Sequence, residues 1–391
     1  MRTIPLSKAY IDAEIKQKIL EITELGWYIL GEQCQLFEKE FAEFIGTSEA
    51  VVTSSGTAAI LLTLQALGVK AGDEVIVPAH TAFPTVEPIL LLGATPIFVD
   101  IDETYTLNPI LLEEKITPHT VGIIPVHLYG HPAHLDPIQR VAEKYHLFVL
   151  EDCCQAHGAA YKGKRVGSWG KAGCFSFYPS KNMTVYGDGG MVTTSDAGLA
   201  EKIRLLRNHG LVGKYRHEIL GHNLRFNEIQ AAVGRLQLQK LEWFNQRRRA
   251  LADFYSKCLR EILEQVEKSN SSTGSDPTLN PWKGLLLPSE QDWAYAVYHL
   301  YVVRIPSTGH SNRRDRLIQF LQEKGIHTGI HYPIPCHLQP VMKNFSDQPP
   351  VLPKTESVVR EIISLPMFPE LTEDEILYIT QSIKEFLTLN P

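Results

Sequence analysis

AVVTSSGTAAILLTLQALGVKAGDEVIVPA, residues 50–79, contains a complete structural unit. AVVTSS is an apolar run with β-branched residues and reads as a strand. Gly56 allows a tight turn, and GTAAILLTLQALG then reads as a helix that stops at Gly68. DEVIVPA is a second strand. Strands that are apolar along their whole length, joined by a helix, belong to a parallel sheet covered on both faces. The alternation continues outward. TVEPILLLGA (85–94) reads as a helix, TPIFVDID (95–102) as a strand, and VGIIPVHLYG (121–130) as another strand. HLDPIQRVAEKY (134–145) is helical and LFVLEDC (147–153) is a strand. GCFSFYPS (173–180) and GGMVTTS (189–195) add strands, followed by a helix in LAEKIRLLRNHG (199–210).

Beyond this α/β block the pattern changes. Asn227 to Leu263 carries apolar residues at spacings of three and four, which predicts a long helix. Residues 267–284, EKSNSSTGSDPTLNPWKG, have loop composition. YHLYVVRI (298–305) and RRDRLIQFLQEKG (313–325) then give a strand and a helix of a smaller α+β lobe. The expected division is a large α/β domain over 1–245 and a small C-terminal domain over 246–391.

The bulk figures narrow the function. With 391 residues and 44% hydrophobic content, the chain can bury a large core. A net charge of −6 gives no basic surface for nucleic acid. The first residues, MRTIPLSKAYIDAEIKQK, lack the apolar core of a signal peptide, and no apolar run approaches the ~20 residues that span a bilayer. A cytoplasmic protein without a membrane partner is expected. The six cysteines show neither metal-ligand nor disulfide spacing, so no metal is expected and the thiols read as reduced and buried.

Three places carry chemistry. In SSGTAAI (54–60), a strand runs through Gly56 into a helix start, whose free N–H groups and adjacent hydroxyl suit a phosphate. A plain N-cap explains the same residues. Asp152 ends the apolar strand LFVLED, where doubly wound sheets place ligand sites; a carboxylate capping the next turn is the competing explanation. Gln155 is positioned to face the same cavity. Lys181 follows the apolar strand CFSFY, near Pro179 and before YGDGG. Most lysines are solvated, but a crowded amine becomes a nucleophile toward carbonyls. Phosphate cradle, carboxylate and amine together match pyridoxal 5′-phosphate (PLP) bound as a Schiff base to Lys181, with Asp152 on the pyridine nitrogen.

Ten blocks in order resemble one family: GWYILGEQCQLFEKEFAEFIG, SSGTAAI, GDEVIVPAHT, GATPIFVDID, EDCCQAHGA, CFSFYPSKN, GDGG, RNHG, GHNLRFNEIQAA and HYPIPCHLQP. The chain is similar to the DegT/DnrJ/StrS sugar aminotransferases over about residues 20–240 and 295–370. The resemblance implies PLP fold type I, as in aspartate aminotransferase, with a mainly parallel sheet in the large lobe. It implies transfer of the amino group of L-glutamate to a nucleotide-linked keto deoxy sugar in amino-sugar biosynthesis, such as that of lipopolysaccharide or antibiotic sugars. Lys181 matches the catalytic lysine, Asp152 the ring-nitrogen partner and Gln155 the hydrogen-bonder to the ring oxygen. Gly56, Thr57, Ala58 and Ser176 match the phosphate site. Asn223 matches an asparagine reaching into the neighbouring subunit, so a homodimer with shared active sites is implied. His331 and Tyr332 fall in the block that approaches the sugar.

Two positions depart from the family pattern. Thr81-Ala82-Phe83 stands where T-F or T-W is common, so either Phe83 or His80 supplies the ring that stacks on the cofactor, or that contact is absent. Asn227 replaces a common aspartate, which reads as a packing variation. AHTAFPTV (79–86) resembles members acting on 3-keto rather than 4-keto sugars. The implied scheme is ping-pong: L-glutamate displaces Lys181, the freed amine moves a proton, and the keto sugar reverses the steps. The alternatives are a related sugar dehydratase, in which histidine replaces the lysine, and a non-catalytic PLP-binding regulator.

Overall fold

The computed structural model describes residues 3–272, 285–306, 313–346 and 348–389. Its centre is a seven-stranded sheet: β1 (Glu49–Thr53), β2 (Glu74–Pro78), β3 (Thr95–Val99), β4 (Thr120–Ile123), β5 (Phe148–Asp152), β6 (Ala172–Ser176) and β7 (Gly190–Thr194). The spatial order is β1-β7-β6-β5-β4-β2-β3. β2 lies parallel to β3 and β4, β4 to β5, and β5 to β6. β7 is antiparallel to both β1 and β6. The reason lies between Ser176 and Gly190, a stretch with no helix, so the chain has no crossover to bring it back parallel.

The expected elements recur with adjusted bounds. The helix after β1 covers Gly56–Leu67, capped by the Ser55 hydroxyl, which accepts from Ala58 N–H at 3.1 Å. The helix expected over 85–94 is reduced to Glu87–Leu91, after a 3-10 turn over Phe83–Thr85, because Pro84 and Pro88 remove two backbone donors. The long helix runs Glu228–Ser272, so residues 267–272, expected in a loop, are helical; the rest of the expected loop, residues 273–284, lies outside the described residues. Asn227 caps that helix, its Oδ1 accepting from Gln230 N–H at 2.9 Å.

The C-terminal strands Tyr301–Arg304 and Ile362–Leu365 pair antiparallel. Through Tyr301, Val303, Ile363 and Leu365 they share a core with Leu251, Tyr255, Leu321 and Phe386, while Val302 and Ile362 pack with Ile101, Val126 and Leu128 of the large lobe. Ile4 packs in this C-terminal core too, so the first residues of the chain serve the small lobe.

Residues 331–342 then return to the large lobe. Cys336 N–H donates to Ala79 O at 2.9 Å, and its side chain is buried in the same core as Val77 and Leu64. The Asp100 carboxylate accepts from Lys354 and Thr355 N–H at 3.0 and 2.8 Å. These bonds hold the C-terminal part of the chain across the carboxyl ends of the strands.

Candidate active site

A cavity of about 500 Å³ opens at the carboxyl ends of β5 and β6. Its lining includes Gly56, Thr57, Phe83, Asp152, Gln155, Ser176, Lys181 and Tyr332. β5 and β6 pair with Asp152 opposite Cys174, so the ends of the two strands lie side by side. The turn after β6 brings Lys181 back over them, with Lys181 N–H donating to Tyr178 O at 2.8 Å. Burial pushes the Lys181 amine below its ordinary value; nearby Cys154 and Asp152 act in the opposite direction. A larger share of it is therefore neutral at a given pH than for a solvated lysine.

Asp152 is 4% exposed, and both its oxygens are engaged. Oδ1 accepts from Cys154 N–H at 3.0 Å and Oδ2 from the Thr85 hydroxyl at 2.8 Å. Thr85 spends its only proton on Asp152, so the Thr81 hydroxyl 2.8 Å away must donate to Thr85. This short relay fixes the carboxylate plane while leaving lone pairs for a donor in the cavity. A carboxylate held that way suits a protonated ring nitrogen.

The opposite wall is the start of the Gly56–Leu67 helix. A Cβ on Gly56 would lie 2.7 Å from Ser176 Cβ and 2.9 Å from Cys154 Sγ, so only glycine fits between them. The amides of Gly56 and Thr57 open the helix, where no intrahelical acceptor exists, and together with Ser176 they form an anion cradle. Amine, fixed carboxylate and anion cradle around one cavity fit the aldehyde, ring nitrogen and phosphate of PLP.

The sequence profile of the DegT/DnrJ/EryC1/StrS aminotransferase family matches residues 9–384. The chain belongs to that family. It is 40% identical over 384 residues to the erythromycin biosynthesis sensory transduction protein EryC1 of Saccharopolyspora erythraea, covering 97% of this chain and 98% of that one. It is 41% identical over 376 residues to the UDP-N-acetyl-3-dehydro-alpha-D-glucosamine 3-aminotransferase of Acidithiobacillus ferrooxidans, with 96% and 94% covered. The crystal structure of S. venezuelae DesV, in complex with a ketimine intermediate, superposes with a TM-score of 0.86 at 38% identity over 99% of both chains. The fold is therefore that of the DegT-family aminotransferases, PLP fold type I.

Not every expected site residue lines the cavity. Ala58 uses its N–H on the Ser55 cap. Asn223 is exposed and forms a bridge with Asn208 outside the cavity. His331 turns its Nδ1 to the Ser364 hydroxyl at 2.9 Å, and burial lowers its pKa to about 4. Of the two rings considered for stacking, Phe83 lines the cavity, whereas His80 is buried behind it, 1% exposed, with its Nε2 2.7 Å from the Tyr129 hydroxyl.

Several residues at the site were missed. Thr85 is one, though the four-residue spacing of Thr81 and Thr85 across a turn was a usable signal. Ser55, Cys154, Tyr178 and Gln339 also line the cavity. A neighbouring cavity along β3 adjoins this one at Gln339, and its lining combines no carboxylate with its lysines. One buried trio, His127, Glu151 and Cys153, has donor atoms close enough to hold a metal. Its Glu151 carboxylate already accepts from Gly167, Trp169 and Gly170 N–H, and His127 Nδ1 accepts from Ala133 N–H. The trio is thereby explained as a buried loop anchor. No helix among the described residues is long and apolar enough to cross a membrane.

Proposed function

We propose that this aminotransferase moves the amino group of L-glutamate to the C-3 keto group of a nucleotide-linked sugar, using PLP. The observation that carries the reading is Lys181 beside Asp152 and the Gly56 cradle in one cavity. When bound, the cofactor supplies an electron sink that stabilises negative charge at the carbon losing its proton. Asp152 would hold the ring nitrogen, Gly56, Thr57 and Ser176 the phosphate, and Phe83 a ring face. Lys181 Nζ, kept partly neutral by burial, takes the proton from the donor's Cα and returns one to the amino-sugar carbon. Gln155 would donate to the cofactor's ring oxygen, and Tyr332, which lines the same cavity, would face the sugar. The C-3 preference draws on the Acidithiobacillus relative, whose name specifies a 3-dehydro sugar.

A homodimer belongs to the same proposal. Asn223 is exposed and is not among the residues lining its own cavity, which suits a residue that completes a partner's site. Mixing Lys181→Ala with Asn223→Ala subunits would then restore about a quarter of wild-type activity, since random pairing makes half the dimers mixed, each with one intact site. No recovery, with subunit exchange verified, would refute the shared site.

The Saccharopolyspora relative, a sensory transduction protein by name, favours a second reading as a PLP-binding regulator. Adding L-glutamate to the holoprotein separates the two. The transaminase loses its visible aldehyde-form absorbance and releases 2-oxoglutarate, then regains the band when a nucleotide 3-keto sugar is added. A regulator keeps the band unchanged.

A further inference from the structure

Tyr129 does not line the cavity, yet it is bonded to Gln155 and to the residue before Tyr332, both of which supply polar side chains to the lining. Its N–H donates to Gln155 Oε1 at 2.8 Å. That contact orients the amide, so Gln155 Nε2 faces the cavity and donates to the Tyr332 hydroxyl at 2.9 Å. The Tyr129 hydroxyl donates to the backbone oxygen of His331, the residue before Tyr332. A phenol has one proton, so the His80 Nε2 at 2.7 Å must be the donor to the Tyr129 oxygen. His80 is then neutral with its proton on Nε2, and its Nδ1 has no partner among the described residues. Burial agrees, lowering His80 to about 3 and holding Tyr129 and Tyr332 protonated.

The chain His80 N–H to Tyr129 O–H to His331 C=O thus pins a segment of the C-terminal part against the end of the large sheet. The Tyr332 oxygen already accepts from Gln155. Its own proton is therefore left to donate, and the other Gln155 N–H is free for a second acceptor in the cavity.

We infer that Tyr129, supported by His80, is a positioning residue for the second half-reaction, fixing the Tyr332 hydroxyl as a hydrogen-bond donor to an oxygen of the keto sugar. The inference rests on the sugar-aminotransferase reading above. It concerns the acceptor sugar because a Tyr129→Phe substitution keeps the backbone N–H that orients Gln155. What is lost is the hold on the Tyr332 segment, together with the acceptor of the His80 N–H behind it.

The test measures the two half-reactions separately by cofactor absorbance and titrates the nucleotide amino-sugar product by calorimetry. Tyr129→Phe should raise the keto-sugar KM and the product Kd by about five- to tenfold, the worth of one hydrogen bond. The glutamate half-reaction should change less than twofold. His80→Leu, which leaves the Tyr129 ring in place, should shift KM the same way by a smaller factor and guards against a misfolded Tyr129 variant. Combining Tyr129→Phe with Tyr332→Phe should add little to Tyr332→Phe alone, because the first acts through the second. Multiplicative effects, or equal losses in both half-reactions, would overturn the inference while leaving the function standing. A wild-type enzyme that aminates no nucleotide keto sugar would overturn both.

Discussion

Replacing Gly56 by alanine tests the cradle directly. The added methyl would lie 2.7 Å from Ser176 Cβ, 2.9 Å from Cys154 Sγ and 3.3 Å from Ser176 Cα. Relaxed carbon contacts sit near 3.5–4.0 Å, so the overlap approaches an ångström. Ser176 cannot retreat cheaply, because it is paired with Gly190 at the end of β6. Gly190 is itself tight: a Cβ there would meet Ser55 O at 2.2 Å. The helix start must therefore move away from β6, widening the cradle. Overpacking of this kind costs about 1–3 kcal/mol. If half or more of that falls on the bound state, PLP affinity drops roughly 2- to 160-fold. Titrating apoprotein with PLP by absorbance measures this, and thermal unfolding of the apoprotein measures the remainder. Unchanged affinity and unchanged melting temperature together would refute the claim that this contact shapes the phosphate site.

Three further outcomes are expected. Thr85→Val removes the hydroxyl donor to Asp152 without changing side-chain shape, and should slow the glutamate half-reaction roughly tenfold, the effect of about 1–1.5 kcal/mol; an unchanged rate in stopped-flow absorbance would dismiss the relay. Buried His80 and His157 titrate at about 3 and His331 at about 4, against 6.5 when unfolded. Below pH 6.5 the unfolded chain binds protons that the folded one does not, so stability falls as pH drops toward 4, by up to about 1.4 kcal/mol per pH unit for each histidine; urea titrations at several pH values check this, and His157→Leu should lessen the slope. Lys181→Met should stabilise the apoprotein, since burial lowers the lysine's pKa and the folded state must hold a disfavoured charge below that value. The gain is expected to shrink as pH rises toward 10.5, which calorimetric melting curves across that range would reveal.

Much of the architecture was readable because its strands are buried on both faces. Uninterrupted apolar runs such as DEVIVPA and LFVLED leave few alternatives to a covered parallel sheet. Gly56, Asp152 and Lys181 were legible for a related reason: Gly56 opens a helix, Asp152 ends a strand and Lys181 lies in the turn after one, each beside an apolar run, whereas Ser176 came with the family resemblance. The direction of β7 was less visible, although the absence of a helix between Ser176 and Gly190 implied an antiparallel return. Residues 267–272 were misread because serine and asparagine favour loops by propensity, whereas here the long helix continues through them.

Side-chain direction was the hardest to read. His80 and Phe83 are three residues apart, yet one ring lies behind the cavity wall and the other faces the cavity, and no periodicity distinguishes them in so short a turn. Tyr129 was invisible for a different reason. It acts through a backbone N–H and a hydroxyl on residues 26 and 202 positions away in sequence. Only the folded chain brings those groups together.

The proposed chemistry requires that Lys181 carry the cofactor. Borohydride reduction of freshly reconstituted holoenzyme, followed by digestion and mass mapping, should leave a stable phosphopyridoxyl group on Lys181 in the peptide spanning FSFYPSKNMTVYGDGG. A label on any other lysine, or none on fully loaded protein, would contradict it.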